Sequence, residues 1–418
     1  MKSLTKLEFL KLVKNRPVRI ACCIVVLYVL VVIIGNINSE NYYKYNENTN
    51  KVDTLKGVIA IKEEKLRVET IAGFLDESKI NETISYYKEL SSSKDNLAKG
   101  GGLSENPYVK YWLPYKEIGY LINTAYSNIN VYDAQIIDKL SENDSNKFYS
   151  NRVKRIEDFL NQSYINSPFD SSDKISILNT AKSLNIPLYF DYNEGWNKVL
   201  KGSHFFNIVI ILVLCFCNCI IFTNDHQNGM VFVVRATING KNKLAYAKIK
   251  ASIIFSSLCF MLFHLIYFVG FMAFYGLDGW NCPIQIVSSY WLSIYNLKFY
   301  QAYLIMILIA LCACIFMVIC TLLLANILKK AFLTISVIAV LMLSPNFIDT
   351  RTLSKGLTNL VELLPVKAIN IKYSLTQQYF YNVFGHEILR CYITPFVLLI
   401  GIVILIPVIV RINSKLEA

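Results

Sequence analysis

The feature that most constrains this chain is a set of apolar runs long enough to cross a bilayer. A helix needs about 20 residues to span the ~30 Å hydrocarbon core. Inside lipid, each backbone N–H and C=O must find its partner within the crossing element itself. Six such runs are read near residues 18–36, 204–223, 251–275, 301–326, 331–348 and 392–411. Hydrophobic residues fill 54% of the 418 positions and charged residues only 17%, which excludes a disordered scaffold. The expected fold is an all-α polytopic membrane protein with six transmembrane helices. A mainly helical extracytoplasmic domain is inserted between helices 1 and 2.

Charge placement sets the expected orientation. Residues 36–203 hold 21 Lys and Arg against 23 Asp and Glu. The rest of the chain has 21 basic and 7 acidic residues, an excess of +14. Basic residues gather in short cytoplasmic segments. Lys2, Lys6, Lys11, Lys14, Arg16 and Arg19 precede or open the first span, and Arg235, Lys241, Lys243, Lys248 and Lys250 lie between spans two and three. Lys329 and Lys330 follow span four, and Arg411 and Lys415 follow span six. With six spans these four segments share one side, so both termini are expected in the cytoplasm and residues 36–203 outside. The segment 349–391 runs against the trend with Arg351, Lys355, Lys367, Lys372 and Arg390, offset in part by Asp349, Glu362 and Glu387. The basic residues flank apolar spans and form no stripe on a soluble face, so nucleic acid is not an expected partner.

The segments divide as follows. Residues 1–17 read as a cytoplasmic amphipathic leader helix lying on lipid, with Leu4, Leu7, Phe9, Leu10, Leu12 and Val13 interleaved with lysines and Pro17 as its breaker. Residues 18–35 form the first transmembrane helix, expected to stay as an uncleaved anchor because its run exceeds a signal h-region. Residues 36–203 form the extracytoplasmic domain. Within it, Val52, Leu55, Val58, Ile59, Ile61, Leu66 and Val68 read as helical, and a second helix is expected over 146–161. Residues 204–418 carry helices 2–6, a loop at 222–248 and an outer segment at 349–391. None of the 11 cysteines lies in 36–203, which suits a bacterial surface without disulfides. The Cys215-x-Cys217-x-Cys219 run places successive thiols on different helix faces, so it reads as packing and not as a metal site.

Catalytic and phosphate-binding motifs are missing from the sequence. There is no Gly-x-x-x-x-Gly-Lys-Ser/Thr loop, no His-Glu-x-x-His and no Gly-x-Ser-x-Gly. The spans carry no Asp, Glu, Lys or Arg at mid-depth, against a proton- or sodium-driven carrier. His264 in the third span is the one intramembrane histidine of interest, read as either functional or bonded to a neighbouring helix.

The informative stretch is 222–248. It reads as a short apolar helix from Gly229 to Arg235 (Met230, Val231, Phe232, Val233), a Thr237-x-x-Gly240 turn, then a helix into span three. Such a helix needs a surface to bury against, whether lipid or protein. Here the chain resembles the permease subunits of type-2 ABC transporters, particularly firmicute members with a large outer domain after span one. Asp225, Gly229, Thr237, Gly240, Lys241 and Lys248 fit the family's loop pattern, and Phe232 and Arg235 belong to its helix. Asp225 stands where Glu is more usual and Lys241 where Arg is, with charge sign kept. Phe190-Asp191-Tyr192-Asn193-Glu194-Gly195-Trp196 before span two and Leu363-Leu364-Pro365 in the outer segment also look family-like.

The resemblance implies a half-transporter that exports a hydrophobic or amphipathic substrate such as a lipid, an antimicrobial peptide or a drug. Two permease subunits, identical or not, would join two cytoplasmic ATPase subunits holding ATP and Mg, with no cofactor on this chain. The 222–248 loop would dock on the ATPase. By the same analogy Asn207, Asn218 and Thr223 on span two, and Thr334 and Ser336 on span five, would line the path. For each of these the alternative is a bond between packed helices. A second reading stays open: a sensory membrane protein whose outer domain binds a peptide or envelope component.

Overall fold

The computed structural model describes residues 2–162, 169–227, 229, 242–377 and 379–415. It is mostly helical, at 74%. Five helices are long and apolar enough to cross a membrane: α2 (Arg16–Ser39), α8 (Glu194–Gln227), α9 (Asn242–Tyr275), α10 (Phe299–Leu328) and α14 (Arg390–Lys415). The chain is a multi-pass membrane protein. The expected span at 331–348 is the shorter helix α11 (Ala331–Leu343), extended by a tight 3-10 turn through Phe347. Before α2 lies α1 (Lys2–Lys14). The leader ends at Lys14, just ahead of Pro17. Pro17 sits in the first turn of α2, where its missing N–H has no intrahelical partner to lose, and the Asn15 side chain caps that turn.

The bundle is built around two helices. In α8 and α10, 61% and 56% of the apolar window is buried, against 28–33% in α2, α9 and α14. Helix α10 packs on both α8 and α14, and α1 lies along α9. The peripheral helices show rows of leucine and isoleucine outward, as lipid-facing helices must.

Residues 41–193 form a head at one end of the bundle. It opens with a two-stranded hairpin, β1 (Asn41–Asn46) and β2 (Lys51–Lys56), paired from Asn41↔Lys56 to Asn46↔Lys51. This corrects the helical reading of Val52 and Leu55. The Asn46 side chain accepts from the Asn48 and Thr49 amides, and Asn50 takes the left-handed conformation at φ 54°. These residues form a turn, which sets the tyrosine-rich β1 and the following β2 as paired strands. Gly57 (φ 63°) then swings the chain into α3 (Gly57–Glu69). The head core is helical, from α4 (Glu77–Ser92), α5 (Lys116–Tyr126), α6 (Phe148–Leu160) and α7 (Ser171–Lys182). Ile80, Ile84, Ile118, Leu121, Ile156 and Ile177 are fully buried there, at the 3.6-residue spacing of inward helix faces. A small pairing of β3 (Gly73–Phe74) with β4 (Tyr189–Phe190) brings the chain back to α8.

The head is clamped to the bundle by a guanidinium that meets carbonyls only. Arg152 of α6 is buried and donates to the Trp291 carbonyl at 2.7 Å, the Ser293 carbonyl at 2.5 Å and the Ala181 carbonyl at 3.1 Å. Trp291 and Ser293 belong to the loop between α9 and α10, so one side chain joins head and bundle. Burial draws the Arg152 pKa down to about 10, which leaves it charged at neutral pH.

Segment 349–389 lies at the same end. Lys355, which opens α12 (Lys355–Glu362), pairs with Asp170 at 2.7 Å and Asp173 at 2.6 Å, the two capping residues of α7. Arg390 pairs with Glu362 at 2.8 Å, both fully buried, beside Tyr373 of α13 (Ile371–Thr376). Two basic residues of the segment that runs against the charge trend are thus neutralised by folding.

Replacing Arg152 with Met should destabilise the protein by about 3 kcal/mol, because it strands the Trp291 and Ala181 carbonyls at ~1–3 kcal/mol each while the Ser293 carbonyl keeps Gln285 Nε2. Thermal unfolding in detergent checks this; an unshifted transition would mean that the clamp contributes nothing.

Candidate functional site

At the end of the bundle away from the head, the two residues that bracket the 222–248 loop meet. Asp225 is three residues from the end of α8, and Lys248 lies in the second turn of α9. The Lys248 ammonium donates to Asp225 Oδ2 at 2.5 Å and to the Ile221 carbonyl at 2.5 Å, and it sits 5.1 Å from the Phe222 ring centre. Lys248 is 2% exposed, so this cation has no water to turn to. Its seat near the C-terminus of α8 adds the attraction of the exposed carbonyl end of that helix.

A third helix closes the cluster. Glu8 of α1 is 4% exposed, with its carboxylate 3.9 Å from Lys248 Nζ and 2.6 Å from Lys11 Nζ. Leu12 is buried beside it, and Phe9 lies edge-on to Phe255 of α9 at 6.3 Å. The leader is therefore packed on protein along this face, with Lys6, Lys11 and Lys14 exposed. Glu8 was not singled out from the sequence. A signal was there: it is the only acidic residue among the first 17. A carboxylate alone on an otherwise basic amphipathic helix needs a reason, and Lys248 is that reason.

This arrangement ties the loop's two ends together. The ion pair joins the end of α8 to the start of α9, and Glu8 of α1 approaches the same lysine. Gly229 is in a left-handed turn at φ 66°. The remaining loop candidates, Phe232, Arg235, Thr237, Gly240 and Lys241, and the expected helix over 229–235, lie outside the described residues apart from Gly229 itself.

The candidates for a substrate path sit inside the bundle, with one exception. Asn207 accepts from His264 Nε2–H at 2.9 Å and lies against Met306 Sδ at 3.6 Å. His264 is thus bonded to a neighbouring helix, between the rings of Phe206 and Phe260. Asn218 donates to Ser256 Oγ at 2.8 Å and to the Leu214 carbonyl at 2.7 Å. Thr223 and Thr334 bond carbonyls one turn back in their own helices, at 3.0 and 2.9 Å, and both are fully buried. Ser336 does the same at 3.0 Å but is exposed. So Asn207 and Asn218 join α8 to α9 and α10, while Ser336 lies on the outer face of α11. Among the described residues no group of three or more His, Cys, Asp or Glu could hold a metal ion.

Comparison with protein-family models, curated proteins and solved structures returned no match to this chain.

The buried pair makes a measurable claim. Asp225→Asn should cost about 2 kcal/mol, less than the ~3–5 kcal/mol of a fully buried pair because Asp225 keeps some contact with water. Lys248→Met should also destabilise, and the double variant should lose less than the sum of the two. Strict additivity in thermal unfolding would show that the two groups do not interact.

Proposed function

We propose that the chain is the membrane-spanning permease subunit of an ATP-driven ABC transporter, exporting a hydrophobic or amphipathic substrate across a bacterial cell membrane. The observation that carries the reading is the Glu8–Lys248–Asp225 cluster at the base of the 222–248 loop. A loop that transmits work from an ATPase needs its two ends locked to each other and to the helices it moves, and the ion pair provides that lock. The sequence of the loop, with its apolar Met230-Val231-Phe232-Val233 run, supplies a face for the ATPase to bury.

In this reading there are six crossings, and residues 331–347 make the fifth. Two observations support it. Lys329 and Lys330 turn the chain at the loop end, while Lys355 meets Asp170 and Asp173 at the head end, and 17 residues lie in Ala331–Phe347 between. That length is at the short limit of ~17–25 residues for a crossing. The charge balance then puts both termini and the 222–248 loop in the cytoplasm and the head outside as an inserted domain. ATP and Mg would be held by a separate ATPase subunit, and a second permease subunit, like or unlike, would complete the pathway. Asn207, Asn218, Thr223, Thr334 and Ser336 would act near that pathway by holding or exposing their helices.

The head's firm attachment through Arg152 and Lys355 favours one second reading, a sensor in which ligand binding outside shifts the helices. An ATPase partner separates the two.

Phe232→Asp places a charge in the proposed docking contact. It should abolish copurification of the ATPase from native membranes while the permease still inserts at wild-type levels. Retained copurification would defeat docking through this loop.

A further inference from the structure

Several contacts mark one level at the head side of the bundle. Tyr275, the last residue of α9, bonds Glu40, the residue after α2, at 2.9 Å. Lys198 of α8 pairs with the same Glu40, and Trp196 donates to the Leu277 carbonyl at 3.1 Å. Two membrane helices therefore end, and a third passes, at this height.

Helix α3 is tied to that level twice. The Gly57 N–H at its start donates to the Glu40 carbonyl at 3.0 Å. Lys65 Nζ bonds Asp278 at 2.6 Å. From Gly57 to Lys65 the helix advances ~12 Å. Pinned at both points, it lies along the plane where the apolar helices end.

Its two faces differ. Ala60, Ile61, Arg67 and Val68 are buried toward the head and bundle. On the other side Ile59 and Leu66, two turns apart, are each 60% exposed, with Lys62 between them. Next to the Asp278 anchor, Leu277 and Trp280 are also more than half exposed. They continue the outward row of α9, which shows Leu258, Leu262, Leu265 and Val269 at helical spacing. A tryptophan at this height fits the boundary zone where its ring is half in lipid and half in water.

We propose that α3 is an in-plane interfacial helix, with Ile59 and Leu66 seated at the boundary of acyl chains and headgroups of the head-side leaflet. Lys62 lies along this face with its stem on apolar surface and its ammonium at the lipid phosphates. The occupant of this face is bilayer lipid, which explains why two large aliphatic side chains are left open on an otherwise polar segment. The inference needs only a bilayer around the five long helices. It is independent of any ATPase, so its failure and that of the transport reading are told apart.

The test uses the full chain with Cys23→Ser, because Cys23 is the exposed cysteine. A nitroxide is placed through Leu66→Cys, and the protein is reconstituted in vesicles of phosphatidylcholine and phosphatidylglycerol. Collision rates are then measured with oxygen, which concentrates in lipid, and with a water-soluble nickel chelate. The expected result is high oxygen and low nickel accessibility, close to a label at Leu262→Cys and opposite to one at Asn50→Cys. Nickel access like that of Asn50→Cys would place the face in water and overturn the proposal. Protection from both reagents would mean that protein, such as a second copy, covers it, and would overturn it equally. Ile59→Cys reads the same face independently if the first variant fails to fold.

Discussion

The architecture depends on one requirement: no backbone polar group can be left open in hydrocarbon. It forces the apolar runs into helices and, among the described residues, pushes irregular segments to the ends of the bundle. It also explains the style of the polar contacts inside. Thr223, Thr334 and Ser336 bond carbonyls in their own helices, so their hydroxyls are satisfied without a partner helix. Asn207 and Asn218 have too many donors and acceptors for that, so they reach His264, Met306 and Ser256 on the neighbours. These asparagines also join α8 to α9 and α10.

The two ends of the bundle are closed by buried cations used in different ways. At the head end, Arg152 meets three carbonyls and no carboxylate, which suits a planar fork of donors reaching across two segments. Nothing in that contact depends on a partner's charge. At the other end, Lys248 uses a point charge against Asp225, the Ile221 carbonyl and, at longer range, Glu8. That contact is made from three separate segments, α1, α8 and α9. The head clamp is built for rigidity.

How much of this was legible beforehand varies with the range of the interaction. Span positions follow from local composition, and five long helices stand at or around the expected runs. The hairpin at 41–56 was missed, because the β-branched and aliphatic residues after Lys51 fit a helical spacing as well as a strand. The Asn46–Asn50 turn decided the matter. Asp225 and Lys248 were picked out by their places in a familiar loop, yet Glu8, far away in the chain, was not. Local pattern carries no information about which residue 240 positions away will meet a buried lysine.

The sequence by itself determined that the chain lives in a membrane and where its apolar segments lie, because a helix of given length and hydropathy has nowhere else to go. It also determined where charge gathers. Only the tertiary structure decided that Arg152 pins the head, that Lys355 and Arg390 are neutralised by Asp170, Asp173 and Glu362, and that Glu8 closes on Lys248. Each of those contacts joins segments separated in the chain, and for the buried Arg152, Arg390 and Lys248 the need for a partner arises only once packing has removed the water.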